Sequence, residues 1–147
     1  MIDVSEVREQ RSSIVGGITT VNPINPDTAE ESLEIPTGVL VYEIEGPLFF
    51  GTVQKFEQSV ERAKIDYKVI ILRMRNTIYL DAGGIQALEQ AKAACDRKGI
   101  KIVLSGIHTQ PFLLCEKSGM TEKLGRENIC TNINAALERA SKIVNNK

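Results

Sequence analysis

His108 is the only histidine of the sequence, and Cys95, Cys115 and Cys130 are its only cysteines. Nucleophilic and acid–base chemistry near neutral pH draws first on these types. The thiols are odd in number, far apart and form no C-x-x-C pair. A zinc site would have to gather all four scattered residues. Reduced thiols buried in a cytosolic domain are the simpler reading. No serine or cysteine stands in a G-x-S-x-G setting, and the H-E-x-x-H, P-loop and G-x-G-x-x-G spacings are absent. The carboxylate pairs, Glu30 with Glu31 and Glu43 with Glu45, fall on an arm and on the polar side of a strand, where solvation accounts for them. The expectation is no catalysis, no metal and no cofactor.

What remains is one junction, from Asn76 to Ile85, where a strand-like run gives way to a helical pattern. Asp81 has the right type to cap that helix. Ala82, Gly83 and Gly84 are then its first three residues, and their N–H groups have no partner inside the helix. Amides open at a helix N-terminus suit a partner or an anion. Two glycines in a first helical turn cost roughly 1 kcal/mol each relative to alanine. Close approach, by a neighbouring loop or by a partner, would offset that cost; the plainer reading is that the glycines only let the helix pack tightly on the sheet. The candidate contact residues are Asp81, Ala82, Gly83, Gly84, Thr77 and Arg75; Arg75 and Arg73 could screen an anion near the junction, with solvated surface the plainer reading of both. Thr77 also reads as a plain turn residue, and Tyr79 and Leu80 as core.

The elements that must position this junction follow from periodicity. Val39 to Glu45 is rich in strand formers and alternates in its second half. Gly46-Pro47 breaks it, and Leu48-Phe49-Phe50 reads as a short antiparallel return strand. Thr52 is placed to cap a helix whose apolar stripe is Val53, Phe56, Val60 and Ala63. Lys68 to Met74 lacks alternation, as in a strand covered on both faces. After the junction, Ile85, Leu88, Ala91 and Cys95 form an inward stripe, and Arg97-Lys98-Gly99 ends the helix. Ile100 to Leu104 is the next strand. Thr109-Gln110-Pro111 starts a short helix that Gly119 stops, residues 120–130 read as a loop with a strand-like pair at Ile129-Cys130, and Thr131 or Asn132 caps a last helix. Alternating strands and helices point to an α/β domain with parallel pairing. The expectation is a small mixed β-sheet of about four to five strands with about four helices mainly on one face.

The ends and the charge refine this. Residues 1–35 hold seven Asp/Glu against two arginines, and the remainder holds sixteen Lys/Arg against twelve Asp/Glu. An acidic arm over 1–37, with its last residues adding an edge strand, leads into a domain over 38–147. The basic excess of the body is dispersed and has few aromatics beside it, which speaks against nucleic acid. The opening residues lack the basic region and apolar core of a signal peptide, and no apolar run approaches the roughly 18 residues that span a bilayer.

The strand Val69-Ile70-Ile71-Leu72-Arg73-Met74, the junction Leu80-Asp81-Ala82-Gly83-Gly84-Ile85, and the turns Arg97-Lys98-Gly99 and Leu104-Ser105-Gly106 resemble a STAS domain. Gly46-Pro47-Leu48-Phe49-Phe50-Gly51 is similar to the G-P-L-F-F-G segment of SulP-family anion transporters, whose C-terminal cytoplasmic domain is of this type. The resemblance covers about 38 to 145, and Ile2 to Val7 is similar to the stretch after the last membrane span of such transporters. It implies a regulatory and interaction domain of a sulfate-type transporter at the cytoplasmic face of the membrane. Its partner would be the transporter's own membrane domain, with a homodimer, acyl carrier protein, and a nucleotide or anion as further candidates. The alternative is a free-standing partner-switching protein of the anti-sigma-factor-antagonist kind. In that branch the residue after the junction Asp is a phosphorylated Ser or Thr. Here it is Ala82, followed by Gly83, so neither position offers a phosphosite.

Overall fold

The computed structural model describes residues 34–44, 46–48, 50–62 and 66–146. Its elements are β1 (Val39–Glu43), α1 (Phe50–Arg62), β2 (Val69–Arg73), α2 (Ala82–Arg97), β3 (Lys101–Ser105), α3 (Thr109–Ser118), α4 (Met120–Leu124), a 3-10 turn (Arg126–Asn128), β4 (Ile129–Cys130) and α5 (Ile133–Asn145). The arm expected over 1–37, with its edge strand, lies outside the described residues up to 33, as do Phe49 and Ala63.

The four described strands lie in the order β1-β2-β3-β4, and every pair is parallel. Each crossover therefore steps to the next strand in the same direction. The right-handed rule then puts α1, α2 and the α3–α4 pair on one face. The core agrees with this placement. Leu72, Ile70 and Leu104 pack with Val53 and Phe56 of α1, Ile85 and Leu88 of α2, Cys115 of α3, and Met120 of α4. The alternate residues Val69, Ile71 and Val103 pack with Ile133, Ala136, Leu137 and Ala140 of α5. β2 is buried at all five positions because both faces are covered, which is why its sequence runs apolar without alternation. Each fully buried Ile or Leu side chain in these layers contributes about 1.5–3 kcal/mol.

Among the described residues the antiparallel return strand expected at 48–50 is absent: Leu48 is not in a strand and Phe50 is helical. Gly46 takes φ +80, and its carbonyl accepts a hydrogen bond from Thr77 Oγ1 at 2.9 Å. The chain is thereby drawn across the end of the sheet toward the junction. Leu48 enters the core, and Phe50 is already the first residue of α1. Thr52 therefore lies inside the first turn of that helix, not before it. The loop expected over 120–130 holds one helical turn, because Met120 and Leu124, four apart, are both buried. The strand-like pair at Ile129-Cys130 is β4. Asn132, not Thr131, caps α5, accepting from Ala135 N at 2.8 Å.

Candidate functional site

β2 ends at Arg73, and the chain then runs through a turn closed by Thr77 N to Met74 O at 3.0 Å. Three tethers hold the segment that follows. Thr77 is 1% exposed and donates its hydroxyl to Gly46 O. Leu80 is fixed by the side chain of Gln110 at the start of α3: its N–H donates to Gln110 Oε1 at 2.7 Å, and its carbonyl accepts from Gln110 Nε2 at 2.8 Å. Asp81 sits in extended backbone and accepts from Gly84 N through Oδ1 at 2.9 Å, while its carbonyl accepts the first helical bond, from Ile85 N, at 3.0 Å. This is an N-cap in full, as the residue types of the junction suggest.

The two glycines have different surroundings. A Cβ at Gly84 would lie 2.5 Å from Leu80 Cδ1, 3.0 Å from Leu80 Cγ and 3.3 Å from Leu48 O. Gly84 is buried, and the close approach it permits is between α2 and the 46–48 loop. A Cβ at Gly83 would meet only Asp81 Oδ1, at 3.4 Å, and Gly83 faces outward with Asp81 and Ala82.

The arginines are not gathered at the open amides. Arg75 donates to both carboxylate oxygens of Glu43, at 2.8 and 3.2 Å, and Asn76 Nδ2 adds a third bond to the same carboxylate at 3.1 Å. Arg73 is buried at the end of β2 and shares the strand parity of Val69 and Ile71, on the α5 face. His108 Nε2 lies 2.7 Å from Arg75 O and steadies the same turn. Thr77 is turned inward, so its hydroxyl is committed. Of the six sequence candidates, Asp81, Ala82 and Gly83 share the outward face of the junction.

That face borders a groove of about 720 Å³. Its lining comes from Pro47 and Leu48 before α1, from Tyr79 and Asp81 of the junction, and from Gln86, Gln90 and Ala93 of α2. Ile78 and Tyr79, at 69% and 66% exposure, are the two most exposed large apolar side chains among the described residues. Neither the Gln110 clamp nor the groove is visible from local spacing. One half of the difference between the glycines is visible: Gly84 falls on the helical stripe of Leu88, Ala91 and Cys95, and Gly83 does not.

The thiols are poor nucleophiles. Burial, with the charge of Asp96 adding to it, pushes Cys95 up to about 12, and burial with Glu116 pushes Cys115 up to about 11. Burial also raises Cys130. At these values Cys95 and Cys115 stay protonated and unreactive near neutral pH. Among the described residues, no group of three His, Cys, Asp or Glu could hold a metal ion. No helix of the described residues is long and apolar enough to cross a membrane.

A parallel sheet with its crossover helices on one side, a capped helix start and an outward-facing groove define an α/β domain. The family profile of the STAS domain matches residues 31–136, and the chain belongs to the STAS domain family. It is similar to the "Putative sulfate transporter YvdB" of Bacillus subtilis, with 33% identity over 90 residues, which is 60% of this chain and 17% of that protein. This chain thus spans about one sixth of the length of that relative. Among solved structures, it resembles a sulfate transporter family protein from Wolinella succinogenes: 34% identity, TM-score 0.72, covering 82% of this chain and 98% of the other. It also resembles the SulP transporter STAS domain from Vibrio cholerae: 27% identity, TM-score 0.70, covering 80% and 91%. The expected α/β class and STAS-like fold hold.

Proposed function

We propose that this chain is the regulatory and interaction domain of a SulP-type anion transporter, held at the cytoplasmic face of the membrane. It carries no catalysis of its own. The observation that carries this reading is the 34% identity to the sulfate transporter family protein from Wolinella succinogenes across 98% of that chain. Its first partner is the membrane domain of the same protein, and its working surface is Asp81 to Gly83 with the outer side of α2, above the buried Gly84.

The geometry favours contact over anion sensing at this surface. A phosphate or sulfate at the amides of Ala82 and Gly83 would lie beside the Asp81 carboxylate, and like charges at such range repel. Of the two cations the sequence offers, Arg75 is engaged by Glu43 and Arg73 is buried. A serine/threonine phosphoryl switch of the anti-sigma-factor-antagonist kind has no acceptor at its usual position either, since Ala82 and Gly83 lack hydroxyls and Thr77 is buried with its hydroxyl donated. Docking needs none of these groups.

The test is the reading frame upstream of Met1 and the sulfate uptake of its whole product in proteoliposomes. A membrane domain encoded there, with uptake that changes severalfold when residues 38–147 are removed, is the expected result. A frame without membrane helices, or uptake indifferent to the removal, overturns the reading.

A further inference from the structure

The groove along α2 is lined by charged side chains that are both acidic, and one of them is already paired. Its lining includes two carboxylates, Asp81 and Glu89, two carboxamides, Gln86 and Gln90, and no cation among the described residues. Glu89 is already engaged by Lys123 at 3.0 Å. Asp81 makes no ion pair among the described residues, and only its Oδ1 is used, in the cap. The remainder of the lining is small or apolar: Gly83, Ala87 and Ala93 leave room along the helix, and Pro47, Leu48 and Tyr79 supply apolar surface. From Gly83 to Ala93 the groove follows the helix for about 15 Å at 1.5 Å per residue. That is the length of a short polypeptide segment. Tyr79, two-thirds exposed beside the groove, is the type of side chain that anchors interfaces.

We propose that this groove receives a basic, partly apolar cytoplasmic loop of the membrane domain. One cation of the loop would sit against Asp81, a second would compete with Lys123 for Glu89, and an apolar side chain would pack on Pro47 and Tyr79. The inference rests on the transporter reading for its choice of occupant. Two physical arguments select that occupant. Cytoplasmic loops of membrane proteins carry an excess of Lys and Arg, which complements a groove lined by acids. A loop tethered to the same polypeptide meets the groove at an effective concentration on the order of millimolar, so an open and shallow groove suffices.

The charge can be removed without removing the cap. Asn caps a helix about as well as Asp, so Asp81→Asn keeps the hydrogen bond to Gly84 N and deletes the carboxylate. The experiment titrates the purified 147-residue chain with an amphipathic peptide of leucine and lysine, and separately with its leucine–glutamate counterpart, following backbone amide shifts. The basic peptide is expected to move Gly83, Gln86, Gln90 and Ala93 with a Kd on the order of 1 mM or below, and the acidic peptide to leave them unmoved. Asp81→Asn with Glu89→Gln is expected to weaken the basic peptide about three- to tenfold, the scale of two exposed charge pairs, and added salt to do the same. Gly83→Arg, with its helix content checked by circular dichroism, is expected to abolish the shifts by filling the groove. Equal binding of both peptides, shifts elsewhere, or affinity unchanged in the double charge variant overturns the proposal. Sulfate uptake by the whole product separates the two claims. Uptake that depends on this domain without peptide binding overturns the groove assignment alone. A frame without a membrane domain overturns the transporter reading, and the occupant with it.

Discussion

Gly83 and Gly84 are adjacent, identical in side chain, and inside the same helical turn, yet they belong to different regions of the molecule. Gly84 closes the inner region, where Leu80, Leu48 and the stripe of α2 meet and a single added carbon has no space. Gly83 opens the outer region, with Asp81, Ala82, Tyr79 and the groove, where an added carbon meets one carboxylate oxygen at ordinary contact distance. The inner region is over-determined: Thr77 is tied to Gly46, Leu80 to Gln110 and Gly84 to Asp81. The outer region is held in shape by those ties and has few of its own. A rigid frame that presents an unencumbered face suits a docking domain, since little ordering is left to be lost on binding.

The strongest challenge to this division is Gly84→Ala. Leu80 is 1% exposed and cannot swing into solvent, so the new methyl must displace packed core. Overpacking of that kind costs about 1–3 kcal/mol. A loss of about 2 to 3 kcal/mol in urea unfolding is expected, even though alanine is the better helix former. A neutral or stabilising result would show that Leu80 and the 46–48 loop yield, and that the inner region is no frame. Gln110→Ala tests the next tie. It leaves both the N–H and the carbonyl of Leu80 without their partner, a loss of about 1 to 2 kcal/mol, and amide exchange at Leu80 should quicken with it.

How far this frame could be read in advance depends on the range of each interaction. The cap at Asp81, the inward stripe Ile85, Leu88, Ala91 and Cys95, and the stop at Gly99 with φ +72 are local, and their residue types announce them. Leu48-Phe49-Phe50 is too short a run for periodicity to separate strand from helix start. The bond that decides it runs from Thr77 to Gly46, 31 residues apart. The turn Met120–Leu124 has only two buried apolar residues to mark it. Gln110 carries no signature at all, because its partner is a backbone peptide 30 residues away. The STAS resemblance was legible in motifs spread over the body, and it supplied the fold where local pattern did not. The groove is a product of the same long-range ties and could not be read before they were known.

The inner region continues down α2 to Cys95, and alkaline pH reaches it there. The thiol has a folded-state value near 12 against an ordinary 9.0, so the folded protein holds its proton where the unfolded chain has lost it. The resulting stabilisation is whole below pH 9 and is lost as pH rises from about 9 through 12. The slope approaches about 1.4 kcal/mol per pH unit for one such thiol. Cys95→Ala should flatten the fall in Tm over that window, on top of a pH-independent cost of its smaller side chain. An unchanged slope would show that Cys95 is reached by solvent and that the buried stripe ends before it.

The outer region supplies the smallest effect and the one of opposite sign. Gly83→Ala introduces a methyl that meets only Asp81 Oδ1, at an ordinary contact distance of 3.4 Å, at a position whose backbone is helical and needs no positive φ. Alanine lowers the conformational entropy of the unfolded chain and favours the helix, so a gain of about 0.5 to 1 kcal/mol is expected. The same substitution one residue along the chain is expected to cost several times as much. Measured side by side, the two alanine variants ask whether the glycine pair is one feature or two. If Gly83→Ala stabilises the fold yet weakens the docked peptide, position 83 is kept small for the groove and not for folding. If it stabilises the fold and leaves peptide binding untouched, the room at Gly83 is not used by the occupant, and contact must begin further along α2, toward Gln86 and Gln90.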